Sequence, residues 1–251
     1  LFLEREVAKQ VVQHPRIRLA GAPFEETLRS FAWSHVYQSW ECIGNSETQN
    51  RIAHLILEVE LTVCLYRDFG IPQLMNVFSN LLASQNVRKG ESLFGKFKKT
   101  PAIICGAGPS LDKRLEMLKA LDNRALIFGA GSALVPLSQA GVPMHFAVAL
   151  DPESPQERFL KQTDFQAPLF YQNQVSQSVF LQSHGPKLCL GESGSFPLEQ
   201  WLDLELAPID AGWNAATFAV QIAYLLGCDP IIFVGMDLCV SSGKSYAGEM
   251  Q

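Results

Sequence analysis

No stretch of the chain reaches about 18 consecutive apolar residues, which argues against a membrane-spanning helix. There is no excess of positive charge either. The formal net charge is −5 at pH 7, and the basic cluster Lys96, Lys98 and Lys99 is short and local, so nucleic acid is not an expected partner. The six cysteines, at 42, 64, 105, 189, 228 and 239, contain no CxxC pair and no Cys/His metal spacing. None of the five histidines, His14, His35, His54, His145 and His184, stands four residues from another, so a zinc site is not expected. The cysteines read as small buried hydrophobes in a reducing cytoplasm. The opening "LFLEREVAKQVV" mixes charge into its apolar positions, unlike a secretory leader. With no initiator Met and an abrupt end at "SYAGEMQ", the chain is expected to be a fragment, truncated at its C-terminus.

What is present is the composition of an ordinary globular protein, 47% hydrophobic and 18% charged over 251 residues, enough for one large or two small domains. Up to about residue 95 the periodicity is helical. Ile52, Leu55, Ile56, Val59 and Val63 recur at helical spacing, and a second run follows Pro72 through Leu74, Val77, Phe78, Leu81 and Leu82. Gly44 with Asn45, and Gly70 with Pro72, read as breaks between helices. Trp33, Tyr37 and Trp40 read as core aromatics. A helical domain over residues 1–95 is therefore expected, followed by a second domain over residues 96–251.

After "GKFKKT" the texture changes. Short apolar runs, "AIIC" (102–105), "ALIF" (125–128), "HFAVAL" (145–150), "PLFYQ" (168–172), "KLCLG" (187–191) and "PIIFVG" (230–235), alternate with the helical patterns "LDKRLEMLKALD", "SALVPLSQAG" and "WNAATFAVQIAYLLG". Strands apolar throughout and interleaved with helices predict an α/β, doubly wound, mostly parallel sheet covered on both faces. In such a sheet ligands sit beyond the carboxyl ends of the strands. The residues to read are then Gly106 to Ser110, Gly131 with Ser132, Asp151 with Glu153, Asn173, Glu192 with Ser193, and Asp237.

The loop "GAGPSL" carries the strongest local signal. Gly106 and Gly108 allow close backbone approach, and Pro109 suits the first turn of a helix. The amides of Ser110 and Leu111, with the Ser110 hydroxyl, are expected to form an anion site. A tight strand-to-helix turn with no ligand is the plainer reading. The dinucleotide fingerprint fails because Leu111 replaces its third glycine, and the second strand ends in "FGAG" without an acidic residue for a ribose. A Walker lysine is missing too, so NAD and P-loop nucleotide binding are disfavoured.

"IICGAGPSLDK", "FAVALDPES", and "NAATFAVQIAYLLGCDPIIFVGMDL" with "GKSYAG" resemble successive motifs of the bacterial motility accessory factor (Maf) glycosyltransferases and of the related archaeal MptE-type 6-hydroxymethylpterin diphosphokinases. The G-x-G-P-S-L loop is also similar to that of bacterial sialyltransferases that use a CMP-activated sugar. The resemblance covers roughly residues 100 to 248. It implies a Rossmann-like, sialyltransferase-like core binding a nucleotide-linked donor. The sequence departs from the pattern at Met144-His145, at Met236, at Tyr246-Ala247 and at Gly131-Ser132.

Asp151, followed by Pro152, and Asp237, after the flexible Gly235, are candidates for catalysis, with strand-end caps as the alternative. Asn214 and Thr217 open a helix that is apolar nearly all round, either as its cap or as a second anion contact. With Gly106, Gly108, Pro109, Ser110, Leu111, Ser132 and Asn173 they form the expected nucleotide site. The function that the resemblance implies is a cytoplasmic glycosyltransferase moving a nonulosonic (sialic-like) acid from CMP to a protein hydroxyl, with a flagellin-like acceptor and no required cofactor. The alternatives are an ATP-dependent pterin diphosphokinase, with Asp151 and Asp237 holding Mg²⁺, and a non-catalytic nucleotide-binding module.

Overall fold

A computed structural model describes residues 46–83, 87–153, 166–192, 205–212, 214–239 and 247. The chain divides into two compact units, Leu1–Gly70 and Ile71–Gln251. The sequence pattern places the domain boundary near residue 95. Trp33, Tyr37, Trp40, Ser193 and Tyr246 lie outside the described residues, as does most of the expected N-terminal helical domain. Helix α1, Ser46–Ala83, is continuous. Gly70 and Pro72 do not end it, although Pro72 withholds one N–H from the helical ladder. In its last part Val77 and Asn80 are buried while Ile71, Met75, Phe78 and Leu82 are exposed.

Seven parallel strands follow: β1 (Val87–Lys89), β2 (Ala102–Cys105), β3 (Leu126–Ala130), β4 (Phe146–Ala149), β5 (Leu169–Tyr171), β6 (Lys187–Cys189) and, after a small two-stranded sheet of β7 (Gly191–Glu192) and β8 (Pro208–Ile209), β9 (Ile231–Val234). Their order is β1-β6-β5-β4-β3-β2-β9, with every pair parallel. Six of the seven match predicted runs. β1 was not predicted: it is three residues long, exposed and charged, and it pairs with β6 in register from Val87 opposite Lys187.

Strand period two sorts the core into two faces. Ile104, Phe128, Phe146, Val148 and Phe170 face helix α5 (Ala215–Leu226), whose Phe218, Ala219, Ile222 and Leu226 are fully buried among them. On the other face Ile103, Cys105 and Ile127 meet Leu111 and Leu118, the latter on the short helix α2 (Leu115–Lys119), and Leu137 on α3 (Leu134–Gln139). Ala147, Leu169 and Tyr171 meet Val179 and Phe180 on α4 (Gln177–Gln182). Cover on both faces explains why these strands read as unbroken apolar runs. Their order reverses between β2 and β9: the chain runs outward from β2 through β6, then returns to place β9 on the far side of β2.

Candidate nucleotide crevice at the strand-order reversal

The loops after β2 and β9 are bonded to each other where the order reverses, the position at which open parallel sheets receive ligands. The Gly106 amide donates to Val234 O at 2.8 Å, and that of Gly108 to Gly235 O at 2.8 Å. A Cβ on Gly108 would fall onto the Asp237 carboxylate and lie 2.8 Å from Gly235 O. Gly235 adopts φ +68°, in the region glycine enters without strain, with Leu111 and Gly106 O against its Cα. Two glycines thus let two backbones touch, and Met236 packs its Sδ beside Gly106. From further along the chain the amide of Ala247, a buried residue, donates to Ala107 O at 2.6 Å.

At this junction the Ser110 amide donates to Asp237 Oδ2 at 2.8 Å. The Ser110 side chain, then its amide, and the nearby Lys113 hold the Asp237 carboxyl below the ordinary carboxylate range. In the structure the anionic group on the Ser110 amide is Asp237. The Leu111 amide, expected to face a ligand, instead turns back to Gly108 O at 2.9 Å, and its side chain is fully buried. The reason is local geometry: Pro109–Arg114 is a 3-10 helix with Gly108 as N-cap, so its first bond closes within the loop. Pro109 and Ser110 stay partly exposed.

The other expected residues divide. Gly131, at φ +52°, brings the end of β3 against Ala215 at the start of α5, with Ser132 partly exposed beside it. Asn214 accepts from the amides of Ala216 (3.0 Å) and Thr217 (2.9 Å), while Thr217 Oγ1 accepts from the Asn214 amide (3.2 Å) and donates to Ala211 O (2.9 Å). This is a capping box with threonine in the third position. Both residues thus cap α5. Asn173, expected at the nucleotide, is 2% exposed, and its Oδ1 receives the Cys189 thiol at 3.4 Å.

Asp151 is exposed at the carboxyl end of β4, with its carbonyl accepting from the Ser176 amide at 2.9 Å. Asp151 and Asp237 lie at the same edge of the sheet. β4 and β9 are three places apart in the strand order, about 14 Å at roughly 4.8 Å per strand. Asp237, whose carboxylate stands beside the Ser110 amide, could serve a Mg²⁺ together with substrate phosphates. Among the described residues no group of three or more His, Cys, Asp or Glu is placed to hold a metal ion, and no described helix is long and apolar enough to cross a membrane.

Sequence reading missed Asn76 and Asn80. Both stand on the buried side of α1, one turn apart, and bond the loops after β4 and β5. An i, i+4 pair of asparagines inside an apolar helical run was the available signal.

Residues 75–243 match the family described as 6-hydroxymethylpterin diphosphokinase MptE-like, a span that contains every expected site residue. The fold is similar to the solved structure of the Maf glycosyltransferase from Magnetospirillum magneticum AMB-1, with a TM-score of 0.58 at 18% identity. That match covers 96% of this chain and 41% of the glycosyltransferase, so the chain spans about two fifths of that protein's length. Among curated proteins no sequence matches this chain.

Proposed function

The chain belongs to the 6-hydroxymethylpterin diphosphokinase MptE-like family, and from that premise we propose that it is a transferase whose nucleotide-linked donor sits at the junction of the β2 and β9 loops. Our reading is transfer of a nonulosonic acid from CMP to a protein hydroxyl, with no metal required. The observation that carries it is the anion contact of Ser110: its backbone N–H donates to, and its hydroxyl helps keep ionised, one carboxylate where the strand order reverses. A donor phosphate can take over these two donors, with Asp237 as its internal counterpart. The displaced carboxylate then turns to the acceptor hydroxyl as a base. Ser110 and the surrounding backbone are already oriented, so stabilising the leaving phosphate needs little rearrangement. Asp151 borders the same edge, on the side from which a sugar or acceptor can approach.

A second reading, pyrophosphate transfer from ATP to a pterin, is favoured by the family's own description and by Asp237 itself. An ionised carboxylate beside a phosphate-binding loop suits Mg²⁺, which is commonly held by one or two carboxylates plus substrate phosphates. Calorimetry on the wild type and on Asp237→Asn separates the two. Under the first reading CMP binds without Mg²⁺, and removing the negative charge tightens it roughly tenfold while transfer falls. Under the second, Mg-ATP binds more tightly than CMP, and Asp237→Asn abolishes that binding. Binding of neither nucleotide would leave a non-catalytic module.

A further inference from the structure

The buried side of α1 reaches the loops after β4 and β5 through two carboxamides. Asn76 Nδ2 donates to the carbonyls of Pro152 at 2.7 Å and Gln174 at 3.0 Å. Asn80 Nδ2 donates to those of Asn173 at 3.0 Å and Val175 at 2.8 Å. Pro152 directly follows Asp151, and residues 173–175 form the turn that follows β5. A carboxamide nitrogen has two protons, and both side chains use both; those of Asn76 go to two different loops. The Ser176 amide then closes the arrangement by donating to Asp151 O. Asn80 is 1% exposed, and its Oδ1 has no hydrogen-bond partner among the described residues. A buried acceptor without a partner is unfavourable. A leucine would bury the same face without that cost, so the donors, rather than the packing, account for asparagine here.

We propose that Asn76 and Asn80 are positioning residues that fix the β4 loop against the β5 loop and thereby hold Asp151 at the mouth of the crevice. This rests on the reading above, in which the crevice takes a nucleotide-linked donor. It gives α1, which has no catalytic pattern of its own, control over ligand affinity: whatever shifts the helix along the sheet moves Asp151 with it.

Asn76→Asp is the decisive variant, because it keeps the shape and replaces both donors with acceptors facing carbonyls. Asn76→Ala removes the donors without adding charge. Val77→Ala, one residue along on the same buried side, serves as the control for general loosening. Hydrogen exchange at the Ser176 amide and calorimetric CMP affinity are measured on all three, with Tm recorded for each. Both Asn76 variants should speed Ser176 exchange and weaken CMP binding by about tenfold or more, whereas Val77→Ala at a comparable Tm loss should do neither. Wild-type exchange and affinity in Asn76→Asp would overturn the proposal, as would equal effects from Val77→Ala. Should the wild type bind no CMP, the donor reading fails while Ser176 exchange still decides whether the clamp exists.

Discussion

Asp237 and His145 show how single side chains divide between site and scaffold. The His145 ring is held by the Ile127 amide, which donates to Nδ1 at 3.1 Å, and by Asn123 Oδ1, 3.1 Å from Nε2. Because Nδ1 accepts, the ring is neutral with its proton on Nε2. Desolvation pushes its pKa down accordingly. A histidine whose folded pKa lies below its unfolded value contributes stability that is present above about pH 6.5 and is lost as pH falls through that value toward the folded pKa. Denaturant midpoints should therefore drop between pH 7.5 and 5.5, and His145→Gln should flatten that slope; an unchanged slope would assign it to another group. At the departure Met144-His145, His145 has a scaffold role between β3 and β4. The Asp237 carboxyl is also held low, chiefly by the Ser110 hydroxyl and then its amide. Its contact persists above the ordinary carboxylate range and is lost only as pH falls below it, so at neutral pH the charge change in Asp237→Asn is complete and the opposed CMP and Mg-ATP outcomes apply in full.

At the scale of elements, α5 shows which sequence signals are read reliably. Asn214 and Thr217 were legible as a cap because capping is local, written within four residues. Asn214→Ala should cost about 1 kcal/mol and leave nucleotide affinity unchanged, as read by denaturation and calorimetry; a loss of affinity beyond that of an equally destabilised variant would return Asn214 to the site. The strands were legible for the same reason, since burial on both faces leaves an apolar run. What the sequence did not disclose depends on distant partners. The three residues of β1 become a strand only by pairing with β6, 100 positions on. The Ser110 amide was predicted to meet an anion, and the pattern could not tell that the anion would be Asp237, 127 residues away. Pro72 reads as a break because propensity is local, whereas α1 runs through it.

For the whole α/β unit, the two edges of the seven-stranded sheet differ in character. β1 carries Arg88 and Lys89, the latter 3.8 Å from Glu205, and charge on an edge discourages pairing with another chain. β9 presents Ile232 and Phe233, 43% and 53% exposed. Phe233→Lys should change stability by no more than about 0.5 kcal/mol and lower any concentration-dependent association seen by ultracentrifugation; association unaffected by the substitution would move the contact away from this edge. The position of β9 also sets an order in time. A chain made at about 5–20 residues per second offers Ser110 roughly 6–25 s before Asp237 is synthesised. During that interval β2, which ends near the middle of the crevice, is itself an open edge, and the glycine loop has no opposite wall. The crevice is thus the last part of the sheet to be closed, although half of it is among the first parts to be made.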